Sequence, residues 1–206
     1  MFLEASKSGM SGSTKIIKSS RMVKTFFVKE EIKYDGSQIE SLWAYKIFNM
    51  QGDSIVAFKG PCDIPFVNMV DLEDVKAKSE IFSHNMLHFI AEHFELDLER
   101  AILKQRLLSS IVKDELELRI KKQLRRTGDD IFDGDAKLTI SIATLTPVSS
   151  KIHFAINIES KDTPVKTRGL QDYDINPDAF SSAILTRYAD ELESIQSAKC
   201  KVKGVK

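Results

Sequence analysis

The chain has 206 residues, 42% of them apolar and 29% charged, with 30 Lys plus Arg balanced against 30 Asp plus Glu. That composition excludes a disordered or collagen-like chain, and zero net charge gives no global drive toward nucleic acid or an anionic membrane. A chain of this length buries roughly 70% of its unfolded surface, enough for a core without metal or disulfide. Two cysteines, Cys62 and Cys200, form no disulfide framework and favour a reducing, cytoplasmic setting. No apolar run approaches the 18 or so residues of a membrane span. The first 21 residues also lack the apolar stretch of a secretory signal.

Those residues are rich in Ser, Gly and Lys and read as a disordered extension, with Met10 and Met22 as alternative starts. A single domain is expected over 22–200, followed by a basic tail over 201–206. From Val23 the run VKTFFVKEEIKY is β-branched and aromatic, as an edge strand or hairpin would be. Asp35-Gly36 breaks it, Ser37 supplies a cap, and Ile39, Leu42, Trp43, Ile47 and Met50 predict a helix. SIVAFKG then reads as a buried strand ended by Gly60-Pro61, with Pro65 keeping the next segment irregular.

A broad apolar stripe, Val75, Ile81, Phe82, Leu87, Ile90 and Phe94, predicts a helix from about Asp71 to Phe94. A second helix is predicted from about Asp97 to Leu124, bent near Ser109-Ser110 and stopped by Thr127-Gly128. The period then changes to two: AKLTISIATL and SSKIHFAINIES predict strands joined at Thr146-Pro147-Val148. Residues 160–176 read as a loop, and Pro177 suits the first turn of a closing amphipathic helix. The fold class is therefore α+β, a mixed sheet with helices on its faces.

Glu80, His84, His88 and Glu92 recur every four residues and would share one helix face, but the general-base Glu of a zinc HExxH motif is replaced by Asn85. A solvated polar face is the simpler reading, and no metal is expected. The basic run from Arg119 to Arg126 has no interleaved aromatic and is followed by Asp129, Asp130, Asp133 and Asp135, so nucleic acid is not the expected partner. Walker, GxSxG and GxGxxG loops are absent.

Cys62 follows a buried strand in a Gly-Pro turn. Lys59 lies near enough in sequence to favour a thiolate, and the alternative is a small buried apolar side chain. Lys137 precedes small or polar residues on its own side of the strand pattern, Thr139, Ser141 and Ala143, so its ammonium can reach a ligand. Asp130 and Asp135 are close enough in sequence to hold it, and an edge-blunting lysine is the alternative.

Residues 22–200 resemble an uncharacterised prokaryotic domain-of-unknown-function family, through YDGSQIESLWAY, GDSIVAFKGPCD, MVDLEDV and GDDI followed by KLTISIAT. More distantly, the stretch around Asp129, Asp130 and Ile131, then Lys137-Leu138, then Asn157-Ile158 resembles biotin and lipoate protein ligases. Lys59-Gly60-Pro61-Cys62-Asp63 resembles the His-Gly-Pro-Gly-Gln substrate loop of octanoyltransferases, with Lys in place of His and Cys-Asp in place of Gly-Gln.

The resemblance implies a biotin/lipoate ligase-like fold, related to the class II aminoacyl-tRNA synthetase core. It also implies an acyl or carboxylate ligand. Lys137 would polarise the carbonyl, while Lys59, Gly60, Asp63, Asp130 and Asn157 would line the pocket and Cys62 would serve as the reactive thiol. ATP or an acyl-adenylate is the cofactor such chemistry implies, and a carrier protein the acceptor. The ligases' Arg-Gly-Gly-Gly loop and the octanoyltransferases' Pro-Cys-Gly nucleophile are missing, the latter replaced by TPVKTRGL. His153 lies two residues before Ala155 rather than three, a slip that would place it on the other strand face. An acyltransferase, an adenylate-forming ligase, a non-catalytic binding module and an RNA-associated protein remain the alternatives.

Overall fold

The computed structural model describes residues 22–205 apart from 79–80 and 162–164, so the expected N-terminal extension, Glu80 and Pro164 lie outside the described residues. A five-stranded sheet forms the centre, in the order β1 (Lys24–Phe27), β2 (Ser54–Asp63), β3 (Phe82–His93), β8 (Ser150–Asn157), β7 (Thr139–Leu145). β1 runs parallel to β2, and every other neighbouring pair is antiparallel. A small second sheet joins β4 (Arg125–Thr127), β5 (Asp130–Asp133) and β6 (Ala136–Lys137).

Two long helices cover one face. In α3 (Leu98–Ile120) the Asp97 carboxylate accepts from Arg100 N–H at 2.9 Å, and the helix runs without a break at Ser109-Ser110 until Lys121 turns left-handed. In α4 (Pro177–Lys199) Asn176 caps Ala179 N–H at 2.9 Å and Pro177 sits where no intrahelical donor is needed. Their buried faces, with Leu108, Val112, Leu116, Phe180, Ile184 and Tyr188, meet Ile55, Ala57, Leu87, Phe89, Phe154 and Ile156 from the sheet. The opposite sheet face carries Val56, Phe58, Cys62, Met86, Ile90 and Ala155 and is covered by Val28, Tyr34, Ile39 and Ala44. Residues 28–50 make that cover with a 3-10 turn at Ser37–Ile39 and one short α-helix, α1 (Trp43–Phe48), entered through a left-handed Leu42, in place of the single helix expected there.

Two further expectations fail here. Helix α2 spans only Leu72–Ala77, and the remainder of the predicted 71–94 helix is the central strand β3. β3 is hydrogen-bonded between β2 and β8 and buried on both faces, so its apolar residues form a nearly continuous run whose spacing imitates a helix. Strand β2 likewise continues through Gly60-Pro61 to Asp63. A register shift between Gly60 and Cys62 accommodates the proline, which has no N–H to give. Gly60 is required at this point because a Cβ would lie 2.2 Å from the Ile32 carbonyl oxygen.

Candidate functional site

A cavity of about 560 Å³ opens on the sheet face opposite the long helices. Cys62, Ser83, Met86 and His153, all nearly closed from solvent, form its floor, and Ile39, Ile64, Met69, Ile81, Ile140 and Ile142 give it apolar walls. Lys137, Asp130, Asp129, Asp74 and Asp71 line its polar side, together with Asn157.

Lys137 is placed there by two backbone neighbours. β6 pairs with β5, while Lys137 N–H donates to the Lys166 carbonyl and its own carbonyl accepts from Arg168 N–H. It is thus not on a free edge. Its ammonium meets the Asp130 carboxylate at 2.9 Å, with both side chains about one third exposed, at 32% and 29%. Asn157, at the end of β8, donates from its amide to the Lys137 carbonyl at 3.5 Å and the Arg168 carbonyl at 3.4 Å. Asp129 is held by Arg106 and by the Gln105 amide at 2.8 Å. Burial raises its carboxyl above the usual range despite Arg106, and Asp74 is raised by its burial and by the neighbouring Asp71.

Cys62 lines the same cavity as Lys137, but its environment opposes the reactive-thiol expectation. Burial, reinforced by the Asp63 carboxylate, pushes the thiol up to about 12. Lys59 does not help. Because β2 continues as a strand, Lys59 falls on the opposite face, where its ammonium meets Asp178 at 2.7 Å. Asp63 pairs with Lys33 at 2.6 Å and faces a neighbouring groove, and Gly60 contributes its carbonyl rather than a lining surface. The structure therefore brings together Cys62, Asp130, Lys137 and Asn157, and separates Lys59, Gly60 and Asp63 from them.

His153 stands on the cavity side, contrary to the expectation from its offset. His88 Nδ1 lies 3.0 Å from His153 Nε2, and His88 Nε2 lies 3.2 Å from the Gly60 carbonyl oxygen. Tyr34 stacks on His153 with ring centroids 3.6 Å apart, and Phe58 stacks on His88 at 5.0 Å. Burial lowers His88 to about 3 and lowers His153 well below the ordinary histidine value, so both rings are neutral. A signal for His153 existed in the sequence: it lies four residues before Asn157, hence on the same strand face.

The expected four-residue histidine face does not form. His84 is exposed beside the register shift, whereas His88 and Glu92 are buried. Among the described residues no group of three or more His, Cys, Asp or Glu side chains is arranged to hold a metal ion. The basic run is split by the left-handed Lys121: Arg119 pairs with Glu115, Lys122 with Asp133, and Arg125 lies over the Phe132 ring. Among the described residues no helix is long and apolar enough to cross a membrane.

The model of the DUF366 domain of unknown function matches residues 23–203. The chain belongs to the DUF366 family. A relative in Methanocaldococcus jannaschii, the uncharacterized protein MJ0805, is 41% identical over 177 residues, covering 82% of this chain and 80% of that protein. A protein of unknown function from Pyrococcus horikoshi superposes with a TM-score of 0.84 at 36% identity, over 89% of this chain and all of that one. The biotin protein ligase from Aquifex aeolicus, in complex with biotin and ATP, gives a TM-score of 0.58 at 11% identity, over 83% of this DUF366 chain and 72% of the ligase. Protein Ta0514 from T. acidophilum, with bound lipoic acid, gives 0.56 at 14% identity, over 82% and 86% of the two chains. At such identities the likeness establishes the fold, a mixed α+β ligase-like scaffold.

Proposed function

We propose that this DUF366 protein binds an acyl- or carboxylate-bearing small molecule, with the apolar body of the ligand against the isoleucine-rich wall and its carboxyl or carbonyl oxygen at Lys137. The observation that carries this reading is the position of the Lys137 ammonium on the polar side of a cavity whose volume, about 560 Å³, lies in the ordinary range for small-molecule sites. An ammonium there pairs with a carboxylate or polarises a carbonyl. The structures with bound biotin and lipoic acid share the scaffold and supply the ligand class to be tried first.

The cavity does not extend this to covalent transfer or to nucleotide chemistry. Cys62 is a poor nucleophile with its thiol near 12, so an acyl-cysteine route to a carrier protein has no support in this site. The carboxylates of Asp71, Asp74, Asp129 and Asp130 stand against Lys137 and an Arg106 already bound to Asp129. Those residues do not fit a triphosphate, and no step through ATP is assigned.

Calorimetry with lipoate, octanoate and biotin tests the reading. At least one is expected to bind, and Lys137→Ala is expected to weaken it by about 1.5–3 kcal/mol, the range for a charge-assisted hydrogen bond. Absence of binding by all three, or indifference to Lys137→Ala, would overturn it.

A further inference from the structure

The direction of the hydrogen bonds through the two buried histidines is fixed by chemistry. A carbonyl oxygen only accepts, so the Gly60 carbonyl requires the proton on His88 Nε2. In a neutral ring that leaves His88 Nδ1 as an acceptor, and His153 Nε2 must then carry the proton it donates across 3.0 Å. The remaining nitrogen, His153 Nδ1, is a bare lone pair. Among the described residues it has no hydrogen-bond partner, and its ring lines the cavity while Tyr34 holds it by stacking. The residue is only 2% exposed, yet Nδ1 is not one of the fully closed atoms without a partner, which among the described residues are Ser54 Oγ, Ser83 Oγ and Asn85 Oδ1. The cavity therefore reaches it, and a ligand donor can take the place of water there.

The position of this acceptor relative to Lys137 is also set. Asn157, which bonds the Lys137 carbonyl, and His153 lie four residues apart on β8, about 13 Å at the usual strand rise. We propose that His153 Nδ1 forms a second polar subsite of the cavity, which accepts a hydrogen bond from an N–H or O–H group on the part of the ligand remote from its carboxyl. The ligand class is then an acid with an apolar middle and a donor-bearing far end, such as an amide, urea or hydroxyl, rather than a plain aliphatic acid. The far-end assignment rests on the carboxylate reading of Lys137, whereas the acceptor at His153 does not.

The test uses a neutral fragment without a carboxyl, 2-piperidone, beside N-methyl-2-piperidone, which lacks the N–H. Histidine ¹⁵N spectra of the wild-type protein first report the rings. His88 and His153 are expected neutral and protonated on Nε2 between about pH 5 and 8. 2-Piperidone is expected to shift the His153 Nδ1 signal and to bind about 3- to 10-fold more tightly than its N-methyl form, the range of one net hydrogen bond. His153→Phe, which keeps a ring to stack on Tyr34, is expected to abolish that preference, and Lys137→Ala to leave it intact. A proton on His153 Nδ1, equal or absent binding of the two lactams to the wild type, or a preference that survives His153→Phe would each overturn the subsite. Loss of octanoate and lipoate binding beside an intact lactam preference would count against the carboxylate reading alone. Lys137-dependent binding of those acids without a lactam preference would count against this subsite alone.

Discussion

Lys151 Nζ lies 3.1 Å from Glu92 Oε2, and both side chains are shut off from solvent, at 0% and 2% exposure. The other Glu92 oxygen accepts from Leu42 N–H at 2.8 Å and from the Ser149 hydroxyl at 2.7 Å. One carboxylate therefore ties the cover segment and the β7–β8 turn to β3. Burial lowers Lys151 below the ordinary lysine value against the attraction of Glu92. Removing one partner leaves an uncompensated buried charge, which costs about 3–5 kcal/mol. Glu92→Gln is expected to destabilise the protein by that amount in urea unfolding. Adding Lys151→Met is expected to recover most of the loss, because the lone ammonium is then gone.

The neutral histidine pair gives stability a pH dependence of definite sign. Both rings titrate near 6.5 when unfolded, while burial holds His88 to about 3 and His153 well below its usual value in the fold. Below pH 6.5 the unfolded state binds protons that the native state refuses, so stability falls as pH falls from 6.5 toward 3. Between pH 7 and 5 His88 is expected to withdraw about 2 kcal/mol, and His153 acts in the same direction. Urea midpoints for the wild type and for His88→Phe/His153→Phe measure this. The double variant starts lower but should lose much of the slope, and a wild-type midpoint flat over this interval would rule out the neutral pair.

Asp130 competes for Lys137 with any ligand carboxylate. The pair is one third exposed, so its own contribution to stability is small, about 0–1 kcal/mol. Lys137→Ala and Asp130→Asn should accordingly leave the thermal midpoint nearly unchanged. Their effects on octanoate or lipoate binding are expected to be opposite. Lys137→Ala weakens it, whereas Asp130→Asn strengthens it about threefold or more by removing a negative charge and freeing the ammonium. Calorimetry on the two variants separates a functional lysine from one that merely pairs with Asp130.

Thiol labelling distinguishes the two cysteines. A thiol near 12 leaves about one thiolate in 10⁵ at pH 7, and Cys62 is closed from bulk solvent, whereas Cys200 is exposed. Iodoacetamide is expected to modify Cys200 quickly and Cys62 only on unfolding, as mass spectrometry of the native and urea-treated protein would show. Rapid native labelling of Cys62 would restore it as a candidate nucleophile.

Much of the architecture was legible from short-range pattern. Asn176-Pro177 followed by a 3.6-residue period specifies α4, and strict alternation on either side of Thr146-Pro147-Val148 specifies the β7–β8 hairpin, although β8 proves to be buried on both faces. Asp130 was legible beside Lys137 from their short separation, and Asn157 was added to them only by the resemblance to the ligases. β3 was not legible, since a strand buried on both faces and a buried helix both present a dense apolar run. What decided for the strand was the hydrogen bonding of β2 and β8, which its own residues do not encode.

The same division holds within the cavity. Asn157 entered only through the ligase resemblance, because it ends β8 in the other sheet, whereas the sequence by itself determined that Asp130 lies a few residues before Lys137. The sequence left open whether Lys59 and Cys62 share a side. A turn at Gly60-Pro61 would have allowed that, but the register shift beside Met86 and the bridge from Tyr34 to Cys62 keep β2 extended, and alternation then sends them to opposite faces. His88 and His153 are 65 residues apart and meet only because β3 pairs with β8. Their neutral state, the proton order from Gly60 to His153 and the resulting lone pair come from burial. Only the tertiary structure decides burial, because it depends on which distant segments exclude water from the rings.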